Sequence, residues 1–150
     1  FAMSGVTETV AFQKLLPAGL LKNGDRLRLR CTLSKSSTVE TTTFALRLGP
    51  AGTIADALLH NAFSIMATTT VSFGLFDDFR RLSATTLRKL GNGSQGTQYA
   101  GGATAATTAP VTVSNMDSTA LYLSATLMQS STAETATMYD MTLELVSSAS

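Results

Sequence analysis

Few side chains in this sequence are of kinds that do chemistry, and their spacing limits what they can do. There is one histidine, His60, and one cysteine, Cys31. A Ser-His-Asp arrangement would hang entirely on His60, and a metal site built around it would need carboxylates for every other ligand. His60 therefore reads as a structural or surface histidine. Cys31 has no intrachain partner for a disulfide, so the redox compartment is not readable from it. Asp77 and Asp78 are neighbours, and on a strand they face opposite sides. Paired-carboxylate catalysis needs two groups facing each other across a cleft, roughly 5–10 Å apart. These two read instead as ion-pair partners for Arg80 and Arg81 at a strand end. Asp56 is a carboxylate candidate for an ion site, with no second ligand specified by spacing.

One glycine motif invites a cofactor reading. Gly91-Asn92-Gly93-Ser94-Gln95-Gly96 matches G-x-G-x-x-G, and Asp117 lies about 20 residues downstream, where the dinucleotide fingerprint places its acid. The chemistry needs a helix opening at those glycines, so that its N-terminus faces the pyrophosphate. Residues 97–110 have no amphipathic period and contain further glycines, so residues 91–110 read as a long loop. Loops of that length in compact domains are functional or mobile. Asn92, Gln95, Gln98 and Tyr99 are its candidate exposed contacts. Ser94 is no hydrolase nucleophile, because the G-x-S-x-G elbow needs glycine where Asn92 stands. The Asn92-Gly93-Ser94 sequon has meaning only in a secreted eukaryotic context. No catalytic, cofactor-binding or metal-binding residue is assigned, and the chain reads as a non-enzyme without a cofactor.

The most informative polar feature is a stripe of arginines. Arg26, Arg28 and Arg30 share one face of a strand, about 7 Å apart along it, while Leu27, Leu29, Cys31 and Leu33 share the other. Toward the end of the chain, Asp140 and Glu144 also point away from the apolar parity. The plain reading is a solvated stripe. The sharper one is that Arg26, Arg28, Arg30, Asp140 and Glu144 form a polar register, pairing across strands or subunits at an oligomer interface.

The elements that position these residues are strands. Charged residues make up only 14% of the 150 residues against 44% apolar, and the missing polarity is supplied by 24 Thr and 16 Ser. Thr is β-branched and suits a pleated surface, whereas the usual exposed helix formers are scarce. Period-two alternation recurs and helical periodicity is nearly absent. Residues 6–13 place Val10 and Phe12 on one face, with Thr9 and Ala11 opposite. Residues 41–48 place Phe44, Leu46 and Leu48 inward, with Thr43, Ala45 and Arg47 outward. Residues 55–59 read as a short helical turn and residues 61–66 as a short strand. In residues 71–79, Val71, Phe73, Leu75 and Phe79 share a parity. Residues 84–90 and 111–113 are weaker strands. Residues 120–129 group Leu121, Leu123, Ala125 and Leu127, and residues 135–146 group Tyr139, Met141, Leu143 and Leu145. Turn signals such as Lys22-Asn23-Gly24-Asp25 and Gly49-Pro50-Ala51-Gly52 separate the runs. About eight strands with no long helix predict an all-β fold, an antiparallel β-sandwich of jelly-roll type.

A net charge of +1 provides no electrostatic footprint for nucleic acid or an anionic membrane. No apolar run approaches the roughly 18 residues of a membrane span, and no secretory leader is recognisable, so membrane insertion is not expected. The start at Phe1-Ala2-Met3 fits either an expression scar or a cut inside a longer protein, and reads better as the second. Scarce charge with abundant Thr reads as a surface that packs against copies of itself.

The segment Leu15-Leu16-Pro17-Ala18-Gly19-Leu20-Leu21-Lys22-Asn23-Gly24-Asp25-Arg26-Leu27-Arg28-Leu29-Arg30 resembles the opening of a group of phage virion proteins: apolar-Pro-Ala, then Leu, then Gly-Asp, then alternating Arg and Leu. In that group a Thr-rich strand, like residues 40–48, follows and runs into a Gly-rich turn, like residues 49–53. Phe79-Arg80-Arg81-Leu82 is similar to a later segment, and two long strands close the domain, as in residues 120–146. The likeness covers most of the chain in pattern. Its members resemble the trimeric jelly-roll knob or head domains of tailed-bacteriophage appendages: tail fibres, tail needles and head fibres. The resemblance implies one jelly-roll domain over residues 1–150, the C-terminal part of a longer fibrous or needle-like protein. It also implies a homotrimer exposed on the virion, non-enzymatic, that contacts a host cell-surface glycan or protein. Receptor contacts in the group follow no motif, so none is carried over. The departure is the absence of a fibrous or coiled-coil stem, which leaves the appendage itself open. Other classes are a carbohydrate-binding module or another jelly-roll structural protein, capsid-forming or cytokine-like. The absence of Trp, with only Tyr99, Tyr122 and Tyr139 as amphipathic rings, disfavours a sugar platform.

Overall fold

Alternation along the chain becomes two layers of strands. The computed structural model describes residues 1–3, 5–35, 38–67, 71–95, 109–130, 132 and 135–148. Among them are ten strands and no helix: β1 (Ala2–Met3), β2 (Thr9–Leu16), β3 (Arg26–Lys35), β4 (Thr38–Gly49), β5 (Ala57–Ala67), β6 (Val71–Ser83), β7 (Thr86–Gln95), β8 (Val111–Thr112), β9 (Leu121–Gln129) and β10 (Ala136–Val146). One sheet runs β1-β10-β3-β6-β7-β8 and the other β2-β9-β4-β5. Every pairing is antiparallel.

Eight of the strands pair as a nested hairpin: β4 with β5, β3 with β6, β2 with β9, and β1 with β10. Rolling that long hairpin into two layers brings β10 beside β3 and β9 beside β4. This is the jelly roll, and the fold class is as the alternation predicts. β7 and β8 lie outside the roll and widen one sheet beyond β6.

The core lies between the layers. Leu27, Leu29, Cys31 and Leu33 of β3 face Phe44, Leu46 and Leu48 of β4 and Leu121, Leu123 and Leu127 of β9, all at most 3% exposed. Burying a Leu or Phe side chain contributes roughly 1.5–3 kcal/mol, so this seam is the main stabilising element. Gly24 (φ 91°) and Gly52 (φ 66°) turn the chain in conformations that disfavour a side chain, and the position a Cβ would take at Gly52 is occupied by the Gln13 amide.

Four local expectations are corrected. Residues 57–59 belong to β5 rather than to a helical turn; the turn is residues 53–56, where the Asp56 carboxylate accepts the backbone N–H groups of Ala51 (3.2 Å) and Thr53 (3.0 Å). Residues 91–95 are the second half of β7, not loop, because they pair with β6 from Gly74 to Asp78. A register shift between Met138 and Asp140 makes Tyr139 a bulge, so Ala136 and Met138 face inward before it and Met141 and Leu143 after it. Tyr139 itself is 65% exposed rather than aligned with Met141. Ala45 does point away from the core seam but is buried, because the outer face of the four-stranded sheet is covered. Arg47 reaches across it to Glu8 with two 2.8 Å bonds, the Thr126 hydroxyl donates to Glu8 at 2.5 Å, and Ser124 and Thr126 are 0% exposed.

Candidate functional site

The outer face of the six-stranded sheet gathers the arginine stripe. Once Leu27, Leu29 and Cys31 are buried, Arg26, Arg28 and Arg30 must point outward. β10 aligns Glu144 with Arg28, Thr142 with Arg30 and Asp140 with Thr32. On the other side β6 aligns Asp78 with Arg28. The structure thus brings Arg26, Arg28, Arg30, Asp140 and Glu144 onto one face. Arg26 donates to both oxygens of Asp78, its Nε at 3.1 Å, and Arg28 Nε stands 3.4 Å from the same carboxylate. That carboxylate holds the Arg26 guanidinium above its ordinary pKa. Asp140 accepts the Thr32 N–H at 2.8 Å, and the Ser34 hydroxyl donates to the Tyr139 hydroxyl at 2.9 Å.

Two further arginines join the face through strand register alone. Arg26 pairs with Arg80 on β6, and Arg80 with Arg88 on β7, so three guanidinium side chains stand in one row across three strands. Directly opposed residues have Cβ atoms about 4.5–5.5 Å apart, and like charges so placed are destabilising. Arg26 is neutralised by Asp78. Arg80 and Arg88 are exposed and, among the described residues, have no acidic partner. The expected pairing of Asp77 and Asp78 with Arg80 and Arg81 is therefore corrected: Asp78 serves Arg26 and Arg28, while Asp77 turns inward to Lys89 at 2.8 Å.

That inward pair is a site the alternation does contain, since Asp77 shares the parity of Phe73, Leu75 and Phe79, and Lys89 that of Leu87. Both side chains are almost fully buried, at 2% and 3% exposure. Burial pushes the Lys89 ammonium below the ordinary lysine value, and Asp77 pulls it part of the way back. Cys31, buried nearby, has its thiol pushed up to about 12 by burial and by the Asp77 and Asp140 charges. A thiol of that kind is inert as a nucleophile at neutral pH.

Arg81 is a second unforeseen centre. Buried at one end of the sandwich, it donates to the carbonyls of Leu21 and Ser83 (2.9 Å to the latter) and to Asp117 at 2.8 Å, while Gly24 N–H donates to its own carbonyl. Asp25 beside it accepts the N–H groups of Lys22 (2.7 Å) and Ser148 (2.9 Å), bonds that hold its carboxyl below the usual range. Asp117 is likewise lowered, by Arg81. These groups clamp the turn before β3, the β6–β7 hairpin and the tail after β10. Asp117 is thus a clamp residue.

No arrangement for acid–base or nucleophilic chemistry emerges among the described residues. His60 lies in β5, opposite Leu46. Among the described residues, no group of three or more His, Cys, Asp or Glu is placed to hold a metal ion. Asn92 and Gln95 lie on β7, while Gln98 and Tyr99 fall outside the described residues. A shallow concavity lined by Leu16, Pro17, Leu20, Leu21, Met116, Thr119 and Leu121 encloses about 10 Å³, room for one water, against the roughly 300–1,000 Å³ of small-molecule pockets. Compared with known proteins, the chain matches no family model, no curated protein and no solved structure.

Proposed function

We propose that this jelly roll is a non-enzymatic assembly and adhesion domain, the homotrimeric knob of a tailed-phage appendage that meets the host surface. The observation that carries the self-association is one flank of the sandwich. There β2 and the β1/β10 side of the other layer lie next to each other, linked by the short segment of residues 4–8. Among the described residues no strand pairs with the far side of β2, and β1 covers β10 only at Ala136 and Thr137. Open edges of this kind attract another chain unless covered. Among the described residues, five of the nine exposed large apolar side chains, Phe1, Val6, Leu15, Tyr139 and Leu145, lie on or beside these strands. Exposed apolar groups concentrated along unpaired edges fit a surface closed by copies of the same chain, and threefold closure would hide them. The pattern of residues 15–30 supplies the appendage context.

Leu15 provides the test, because it is 46% exposed and its replacement need not disturb the core. Leu15→Glu should lower the mass measured by light scattering toward that of one chain. Leu90→Glu, at an exposed apolar position on β7, three strands away from β10, should leave the mass unchanged. Equal behaviour of the two variants would overturn the flank as the self-association surface.

A further inference from the structure

We infer that the row formed by Arg26, Arg80 and Arg88 on the outer face of the six-stranded sheet binds an acidic polysaccharide. The inference rests on the appendage reading for the source of that ligand, a cell-surface glycan, but the surface is argued from its own charges. Arg80 and Arg88 are opposed in register on adjacent strands, exposed and without a carboxylate partner among the described residues. Such a like-charged pair weakens the sheet that carries it, and an oxyanion held between the two guanidinium groups removes the repulsion. Each guanidinium presents a planar fork that matches a carboxylate or phosphate with two parallel hydrogen bonds. The row crosses neighbouring strands about 5 Å apart, so an extended chain lying across them can meet more than one arginine.

Among the described residues, a second copy of this chain offers no matching free charge. Apart from Glu144, the carboxylates whose side chains are described already take internal hydrogen bonds or ion pairs, and Glu144 stands opposite Arg28 on this same face. Nucleic acid is a poor match for another reason. Duplex DNA carries one charge per roughly 1.7 Å, and so dense a run would meet Asp140 and Glu144 as well as the arginines. An acidic polysaccharide, with its charges spread more sparsely along a hydroxyl-rich chain, can address the arginines and leave those acids solvated.

Affinity electrophoresis through gels containing polygalacturonate, with neutral dextran as the reference, tests the inference. The parent chain should be retarded by polygalacturonate and not by dextran. The double variant Arg80→Gln/Arg88→Gln should lose at least tenfold in apparent affinity while melting no lower than the parent. Lys14→Gln, which removes one exposed cation from the other sheet, should bind as the parent does. If the double variant fails to fold, Arg88→Gln alone should lose at least threefold. An unretarded parent, undiminished binding by the arginine variants, or stronger binding to single-stranded DNA or to vesicles of anionic phospholipid would each overturn the inference. Light scattering on the same samples keeps the two readings apart. A trimer that ignores polygalacturonate removes only this site, and a monomer that binds it removes only the trimeric knob.

Discussion

At the residue scale, the least expected feature is a charge pair inside the sandwich. Asp77 and Lys89 meet at 2.8 Å with 2% and 3% of their side chains exposed, beside Cys31 and Leu29 of β3. Their attraction repays a desolvation cost that each would bear alone, so the pair is expensive to break and inexpensive to replace whole. Lys89→Met should therefore cost about 3–5 kcal/mol in urea unfolding, because it leaves a carboxylate buried without its cation. Asp77→Leu combined with Lys89→Met should recover most of that loss. A single-variant loss below about 1 kcal/mol, the range of solvated surface pairs, would show that the pair is not buried in this way. The parity of Asp77 with Phe73 and Phe79 is visible in the sequence, but the adjacent Arg80 and Arg81 point to a pair at the strand end. Only the pairing of β6 with β7 identifies Lys89 as its partner.

At the scale of elements, the turns and tails are tied down by carboxylates held below their usual pKa. Glu8 fastens the segment before β2 to Arg47, Asp25 fastens the tail after β10 to the turn before β3, and Asp117 meets Arg81. Ordinary values are about 3.9 for Asp and 4.3 for Glu, and the folded values lie lower, so on acidification the unfolded chain takes up protons first. The stability these groups contribute is complete above about pH 5 and is lost as the pH falls below about 4. The thermal midpoint should accordingly be flat between about pH 5 and 8 and drop in more acid solution; a decline that sets in well above about pH 5 would contradict this account. Most strands were legible where each residue obeys one parity, as in β3, β4 and β9. The second half of β7 was not, because Gly91 and Gly93 carry no side chain to show alternation and β6 imposes the pairing. The bulge at Tyr139 was equally hidden, since a register shift is a property of two strands and not of one. The same reason divides the candidate site: Arg26, Arg28 and Arg30 were legible on a single strand, whereas Arg80 and Arg88 join them only through register across more than fifty residues of chain.

At the scale of the whole molecule, scarce charge is distributed with purpose. Eight strands close into a jelly roll and β7 and β8 widen one layer into a face that carries unneutralised arginines. The opposite layer covers its outer surface with the Glu8–Arg47 bridge and, among the described residues, offers no comparable cationic row. The flank formed by β2 and β10 leaves apolar side chains and strand edges unsatisfied. On the proposed reading, the molecule associates through its flank and presents the arginine face outward. The measurement that bears on this most directly is the mass of the unmodified chain by size exclusion with light scattering at micromolar concentration. A single species at three times the 15.7 kDa of one chain is predicted, and a monodisperse species at 15.7 kDa would contradict the assembly on which the account depends.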